Sequence, residues 1–202
     1  MARDPDRLGR AAARAGGGLE THQGDASKDQ DVRAFFDRVG TVDHVVLSAG
    51  SPTFGPLAAV DIDTGLDWLS NRLRAILLAA RHARWAQSGS LTLLGASAVR
   101  RPRPGGGLIG ALARSTEYLA ETLALELAPV RVNVIAPGFV PTPLTEQALG
   151  DRLPARVAEL RQSLPTGHVV EPDDVASLIV HVMLNPAMTG SVIPIDSGQI
   201  LA

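Results

Sequence analysis

The apolar residues of this chain follow two alternating patterns, helical spacing in some segments and short continuous runs in others. Leucines recur every three or four positions from about residue 63 to 86, and residues 108–127 repeat this pattern, so both segments are predicted to be long helices. Four apolar runs predict buried strands, namely DHVVLSAG (43–50), GSLTLLGAS (89–97), VRVNVIAPG (130–138) and SVIPID (191–196).

The first forty residues continue the alternation. A helix is predicted to begin at Asp4-Pro5 and to end at the glycines 16–18. Residues 18–25 are extended, and residues 27–40 carry the apolar spacing of another helix.

The order of strands and helices predicts the fold class. Two prolines and three glycines in VRRPRPGGG (99–107) exclude helix or central strand there. After the predicted strand at 130–138 we expect irregular structure up to residue 150, then two further helices. Strands separated by helices of this length imply an α/β fold with a parallel sheet covered on both faces. No repeat or linker divides the chain, so we expect one domain over residues 1–202.

Composition narrows the possible partners. The 19 basic and 21 acidic residues are spread along the chain and give a net charge of −2, which favours neither nucleic acid nor an anionic membrane as a partner. A small neutral or acidic ligand fits better. No apolar run has the ~20 residues that span a bilayer, and the acidic opening segment is unlike a leader peptide, so we expect a cytoplasmic protein.

The residues that bind metals or form thiolates are scarce. The chain has no cysteine, which excludes disulfides, thiolate catalysis and cysteine-bound metal. Its five histidines have no spacing typical of metal ligands, and we therefore predict no metal site.

Three stretches resemble the short-chain dehydrogenase/reductase family. They are DHVVLSAG (43–50), LAPVRVNVIAPGFVPTPL (127–144) and EPDDVASLIVHVMLNPAMTGSVIPIDSGQ (171–199). These stretches are similar to the family's Asn-Asn-Ala-Gly turn, to its sixth strand with a Pro-Gly turn, and to its C-terminal helix and closing strand. The resemblance covers essentially the whole chain and implies a Rossmann-like fold.

Aligned in this way, the chain lacks the first two strands of the usual fold. The Gly-rich turn that holds the cofactor pyrophosphate in that family is absent with them. Two glycine runs, 16–18 and 105–107, do not follow a predicted strand and so do not replace it. We therefore expect no cofactor for the chain as written, and NADP if an N-terminal segment is missing from the sequence.

The resemblance still assigns vestigial cofactor contacts to several positions. Arg3 stands where a basic residue reads the 2′-phosphate of NADP, and Thr142 stands where the family contacts the cofactor amide and phosphate. Ser48 replaces the asparagine of the family's turn. The remaining cofactor positions are Asp25, Gly50, Pro137 and Gly138.

The catalytic residues of the family are also replaced. The resemblance implies a Ser, a Tyr and a Lys that act in acid-base catalysis beside the cofactor. Alignment without gaps from LALELAP (123–129) places the Tyr at Ile109 and the Lys at Ala113, and neither side chain moves a proton. The Ser falls on Ala96, and Tyr118 lies too far along the helix, so we assign no catalytic residue.

A cleft at the carboxyl ends of the strands remains as the predicted binding site. Its rim is expected to hold residues 48–54, 96–107 and 137–144, and the substrate-binding candidates are Ser97, Arg101, Arg103 and Phe139. Arginines between prolines suit an anion clamp for a carboxylate or phosphate, but also an ordinary solvated loop. Arg72 and Arg74 on the long helix leave the same choice open, with an exposed helix face favoured.

Three functions are consistent with these observations. The first is a small-molecule-binding protein that performs cofactor-independent chemistry, such as a cyclisation, dehydration or isomerisation. The second is a non-catalytic subunit that uses its two long helices, and the third is an NADP-linked oxidoreductase with a missing N-terminus. We also expect a homo-oligomer, a dimer or tetramer, because these helices keep small and apolar residues.

Loss of the first strands predicts a rearranged sheet. Residues 18–25 would otherwise lie two strands away from residues 43–50, and buried backbone groups do not stay unpaired. We favour a slide of residues 18–25 beside residues 43–50. The alternative is displacement of residues 18–25, with another chain covering the exposed edge.

Overall fold

The computed structural model describes residues 1–16, 18–48, 50 and 55–202. In this part of the chain, four parallel strands form one sheet in the order β1-β2-β3-β4. The strands are β1 (Thr41–Leu47), β2 (Arg84–Leu94), β3 (Arg131–Pro137) and β4 (Val192–Ile195). The predicted α/β fold with a parallel sheet is therefore confirmed.

Two helices precede β1, and the others connect successive strands. They are α1 (Pro5–Arg14), α2 (Asp29–Val39), α3 (Ile62–His82), α4 (Gly107–Glu126), α5 (Pro143–Leu149), α6 (Leu153–Ser163) and α7 (Pro172–Leu184). Short 3-10 turns occur at Ser97–Arg100 and Gly150–Arg152.

Two helix predictions are wrong in detail. The long helix predicted to reach residue 86 ends at His82, because the next residues enter β2 and Trp85 pairs with Val42 of β1. The segment predicted to be irregular up to residue 150 contains α5. There the Thr142 hydroxyl accepts a hydrogen bond from the Thr145 amide, and the Thr145 hydroxyl accepts one from the Thr142 amide, so the two threonines cap the helix.

Apolar side chains cover both faces of the sheet. On one face, Ile76 of α3 packs with Leu91 of β2 and Val132 of β3, and all three are fully buried. On the other face, Val182 of α7 packs with Ile135 of β3. Burial on two sides explains why the strands are continuous apolar runs, as parallel sheets require.

The predicted slide of residues 18–25 against β1 is wrong. Gln23 forms a parallel bridge with Ala2 instead, through hydrogen bonds from the Ala2 amide to the His22 carbonyl and from the Gly24 amide to the Ala2 carbonyl. Within the described residues, β1 is consequently the edge of the sheet. The physical reason is that Ala2 already satisfies this backbone, which removes the drive to pair with β1.

A single arginine joins the end of α7 to β3. The guanidinium of Arg131 donates hydrogen bonds to the carbonyl oxygens of Val182, Met183 and Asn185 at 2.9, 2.6 and 2.9 Å. These are carbonyls that a helix C-terminus leaves without intrahelical partners. The positive charge at this end also complements the helix dipole, so Arg131 fixes the helix that forms one wall of the site described below.

We predict that Arg131→Met lowers the free energy of unfolding by about 2–4 kcal/mol, because buried carbonyls lose charge-assisted hydrogen bonds. Urea unfolding followed by circular dichroism measures this change. Arg33→Met is the matched control, since Arg33 makes one 3.5 Å contact with Asp29 on an exposed face and should shift stability by less than about 0.5 kcal/mol. Equal effects of the two substitutions would contradict the assignment.

Candidate functional site

A cavity of about 1210 Å³ lies at the carboxyl ends of β2 and β3. Its walls are the residues that follow these strands, the loop and first turns of α4, and one side of α7. Open parallel sheets bind ligands at this edge. The volume exceeds the roughly 300–1,000 Å³ of an ordinary ligand pocket, so a whole organic molecule fits inside.

The lining of the cavity is mainly glycine, proline and aliphatic side chains. Ile109, Val140 and Ile179 supply part of the apolar surface. The charged residues that line it, among those the structure describes, are all arginines, namely Arg101, Arg103 and Arg114. The cavity therefore combines an apolar body with a positive potential.

Most of the predicted site residues come together at this cavity. Those that line it are Ser48, Arg101, Arg103, Pro137, Gly138, Phe139 and Thr142. The shared location agrees with the predicted cleft, while the role of each residue in binding stays a prediction. Of the predicted rim, residues 49 and 51–54 lie outside the described part of the chain.

Arg3 and Asp25 do not line the cavity. The backbone carbonyl of Arg3 accepts a hydrogen bond from the Gln23 side chain, and Asp25 accepts hydrogen bonds from the amide and hydroxyl of Ser27. Partial burial acts to raise the pKa of Asp25, but the bonds from Ser27 and the nearby charge of Arg3 bring it below the usual value. The Asp25 carboxylate thus stabilises the start of α2.

Ser97 is fully buried and does not line the cavity. Its hydroxyl has no hydrogen-bond partner, whereas the neighbouring Ala96 faces the cavity. Gly50 also stands apart from the lining, where an added Cβ would lie 3.7 Å from Trp68 Nε1 and 3.8 Å from Arg72 Cδ. Direct substrate contact by Ser97 requires a change of its present surroundings.

The positions of the family's Tyr and Lys are well placed but carry inert side chains. Ile109 lines the cavity from the first turn of α4, and Ala113 is buried one turn later, with 3% of its surface exposed. Tyr118 is 73% exposed on the same helix and does not face the cavity. Neither of the two positions that the resemblance gives to the Tyr and the Lys therefore carries a side chain that exchanges a proton.

Arg72 is a functional candidate that the sequence placed on an exposed face. It is buried instead, and its Nη2 donates hydrogen bonds of 3.0 Å to the carbonyl oxygens of Leu47 and Leu94. Burial lowers the pKa of Arg72 to about 10, so the group stays protonated at neutral pH. Arg74, two positions away, is exposed as expected.

The wall formed after β3 depends on one glycine. An added Cβ on Gly138 would lie 2.7 Å from the Asp196 Cβ and 2.7 Å from the Gln199 side-chain oxygen. That same oxygen accepts a hydrogen bond from the Phe139 amide at 2.8 Å. The contact brings the C-terminal turn against the cavity wall, which explains a glycine at this position.

The N-terminus of α7 forms another part of the wall. The Asp174 carboxylate accepts a hydrogen bond from the Glu171 amide at 2.8 Å and lies 2.6 Å from His168 Nε2. Both interactions lower the pKa of Asp174 below its usual value, and the hydrogen bond from the Glu171 amide has the larger effect. Pro172 and Val175, which flank Asp174, line the cavity.

Among the described residues, only some of the positions that the resemblance assigns to NADP come together at the cavity. Thr142, Pro137 and Gly138 offer surface for one end of such a cofactor, but Asp25 is engaged within its own loop. In the described residues, neither glycine run forms a turn from a strand into a helix. The described residues also contain no group of three histidine or acidic side chains that could hold a metal ion, and no helix among them is long and apolar enough to cross a membrane.

Comparison with known proteins identifies relatives along most of the chain. A family model described as an SDR-like rossmann domain matches residues 9–202. The short-chain dehydrogenase/reductase MalC of Malbranchea aurantiaca is 31% identical over 165 residues, which cover 79% of this chain and 62% of that protein. The matched part of the chain therefore spans less than two thirds of this relative.

Solved structures show the same fold. A structure of MalC Reductase/Diels-Alderase from Malbranchea aurantiaca has a TM-score of 0.85 and 26% identity, covering 100% of this chain and 85% of that chain. A small-chain dehydrogenase in complex with NADPH has a TM-score of 0.83 and 28% identity, covering 96% of this chain and 94% of that chain.

We predict that Asp174 makes the stability of this wall depend on acid pH. Its pKa is lower in the folded protein than in the unfolded one, so its contribution is present above the unfolded pKa of about 3.9 and is lost as the pH falls toward the folded value. Urea unfolding across a pH series should show a steeper acid loss for the wild type than for Asp174→Asn. The control is Asp173→Asn, whose carboxylate makes no hydrogen bond to described residues, and a profile for Asp174→Asn that matches this control would contradict the prediction.

Proposed function

The chain belongs to the short-chain dehydrogenase/reductase family, and from this premise we propose that it binds a small, largely apolar molecule in the family cleft and transforms it without hydride transfer. A cyclisation, dehydration or isomerisation fits this description. In such reactions the cavity holds the reacting atoms close together, and its arginines stabilise negative charge that develops on the substrate.

The observation that carries this proposal is that apolar side chains occupy the positions where the family has its catalytic residues. Ile109 and Ala96 face the cavity where the family has its Tyr and Ser, and Ala113 is buried where the family has its Lys. Acid-base transfer beside a cofactor needs groups that exchange protons. Apolar groups in these places instead favour binding of an apolar skeleton.

The arginines supply the polar part of the mechanism. Arg101 and Arg103 line the cavity and form no ion pair with described residues. A guanidinium donates hydrogen bonds in a planar fork that suits a carboxylate or a polarised carbonyl oxygen. Such donors stabilise charge on oxygen in a transition state without taking up a proton themselves.

The similarity to MalC supports the same reaction class. MalC is described as a reductase and Diels-Alderase, and a Diels-Alder reaction is a cyclisation that forms two carbon-carbon bonds with no hydride transferred. Shape and hydrogen bonding are sufficient to accelerate a reaction of this type. We assign no individual catalytic residue to it in this chain.

An NADP-linked oxidoreductase is the second candidate. The observation in its favour is the likeness to a small-chain dehydrogenase in complex with NADPH, of which this chain covers 94%. Thr142, Pro137 and Gly138 would lie against one end of that cofactor. Ile109 and Ala113 count against this candidate, because neither side chain exchanges a proton at the positions that the resemblance gives to the Tyr and the Lys.

We also propose a homo-oligomer, a dimer or tetramer, that pairs the two long helices. Tyr118 and Leu125 lie one heptad apart on α4 and are 73% and 83% exposed, and Leu66 and Leu77 of α3 are also exposed. Exposed apolar rows of this kind favour association. A cytoplasmic location stays a prediction.

Binding of 8-anilinonaphthalene-1-sulfonate, an apolar anion, tests the proposed ligand class. We expect its fluorescence to rise on binding to the wild type, and Arg101→Gln with Arg103→Gln to weaken binding about twofold to thirtyfold, because each of the two exposed charge pairs contributes roughly 0.2–1 kcal/mol. Arg100→Gln is the matched control, since Arg100 is exposed in the same loop but does not line the cavity. No binding to the wild type would overturn the proposal.

Calorimetry with NADPH decides between the two candidates. Without a turn that holds the pyrophosphate, we expect a dissociation constant above about 10 μM, which corresponds to about 7 kcal/mol of binding free energy. NADH serves as the comparison for any contact with the 2′-phosphate. A tighter constant for NADPH would replace the cofactor-independent function with the oxidoreductase.

A further inference from the structure

Arg114 is a cavity residue that neither the sequence patterns nor the family alignment assigns. It lies on α4, and its Nη1 donates a hydrogen bond of 2.8 Å to the Glu117 Oε2 three residues further along the same helix. The Arg114 side chain is 58% exposed and lines the cavity, whereas the Glu117 side chain is 8% exposed. A buried carboxylate thus holds an accessible guanidinium.

This contact leaves most of the guanidinium available to a ligand. It is a single hydrogen bond and not a bidentate pair, and the Nε and Nη2 of Arg114 have no hydrogen bond to the described residues. An arginine carries five N–H donors in one plane, so fixing one of them directs the others. A long exposed arginine would otherwise lose rotamer entropy when a ligand ordered it.

Glu117 has no other evident purpose in the packing. Its Oε1 is buried without a hydrogen-bond partner, which is a costly arrangement for a carboxylate. Apolar neighbours such as Ala113 and Ala120 occupy the same face of α4. A carboxylate kept there is explained by what it does to Arg114.

The other two cavity arginines lie outside the helix that carries Arg114. Arg101 and Arg103 lie on the irregular segment before α4, both are exposed, and neither has an ion-pair partner in the described residues. They give the cavity net positive charge without a fixed direction. Arg114 has its charge offset by Glu117 but has a fixed direction, so it selects where an oxygen atom binds.

We propose that Arg114, positioned by Glu117, binds the carboxylate oxygen of an amphipathic organic acid whose apolar body lies against Ile109, Val140 and Ile179. This inference rests on the proposed function, because it names the ligand class and the specificity residue of the same cavity. Arg114 contacts the ligand directly, and Glu117 is a positioning residue.

Displacement of bound 8-anilinonaphthalene-1-sulfonate by decanoate, with decanol as the uncharged comparison, tests the role of Arg114. We expect Arg114→Met to weaken decanoate binding about tenfold, the change that corresponds to roughly 1.4 kcal/mol, and to leave decanol within about twofold. Arg74→Met is the matched control, because Arg74 is exposed and does not line the cavity. Equal losses for decanoate and decanol would overturn the proposal.

A pair of Glu117 variants separates positioning from simple charge. Glu117→Gln keeps a side-chain acceptor for Arg114 and should retain decanoate affinity, whereas Glu117→Met removes the acceptor and should weaken decanoate binding about fivefold. If Glu117 acted only through its negative charge, both variants would bind decanoate more tightly than the wild type, and the proposal would be wrong.

Binding of the probe and of decanoate to the wild type distinguishes failure of this inference from failure of the proposed function. Binding of the fluorescent probe and decanoate with no effect of Arg114→Met would overturn the role of Arg114 alone. If neither compound binds the wild type, both proposals are wrong. Should Glu117→Met not fold, which circular dichroism reveals, the accessible Arg114→Met and Arg114→Lys variants still decide, and we expect Arg114→Lys to lose about fivefold because it lacks the fork.

Discussion

The cleft depends on the guanidinium of Arg72, which joins the carboxyl ends of β1 and β2. Its hydrogen bonds to the carbonyls of Leu47 and Leu94 hold the two strand ends where the chain turns into the cavity wall. Burial of this charge is costly, as the lowered pKa of Arg72 shows. The Arg72 guanidinium therefore holds the ends of β1 and β2 in position. Without it, the carbonyl groups of Leu47 and Leu94 would have to bind water at the edge of the binding site.

In the proposed function, apolar side chains at the cavity stand in place of acid-base groups. Ile109 and Ala96 line the cavity at positions that the resemblance gives to hydroxyl-bearing residues, and Ala113, at the position given to the Lys, is buried. At these positions the cavity therefore offers apolar surface to a ligand. Reactions that depend on bringing two ends of one molecule together benefit from this, since they need confinement more than they need a base.

Sequence patterns predicted the elements that bury apolar residues on both sides and failed where a polar contact decides the structure. The strands and long helices follow from periodicity, and the cavity location follows from the strand order. The burial of Arg72 depends on three-dimensional partners that no local pattern shows. The threonine pair that caps α5 and the contact between Arg114 and Glu117 are i,i+3 pairs, so their spacing is a usable signal, although many such pairs lie on solvated helix faces. The buried position of Ser97 gives no support to its predicted contact with a substrate. Ala96, one residue earlier in the same turn, faces the cavity instead.

The net charge of the chain does not show that positive charge is concentrated at the cavity. A net charge of −2 gives no overall attraction for anions, yet the described lining of the cavity carries arginines and no acid. Potentials at such a site reach only about 8 Å into solvent at physiological ionic strength, so the arginines act on a ligand that has already entered. Arg101 and Arg103, which are exposed at the cavity, are the charges that salt screens most. In the proposed recognition of an amphipathic acid, these two arginines attract the ligand, and Arg114, held by Glu117, orients its carboxylate.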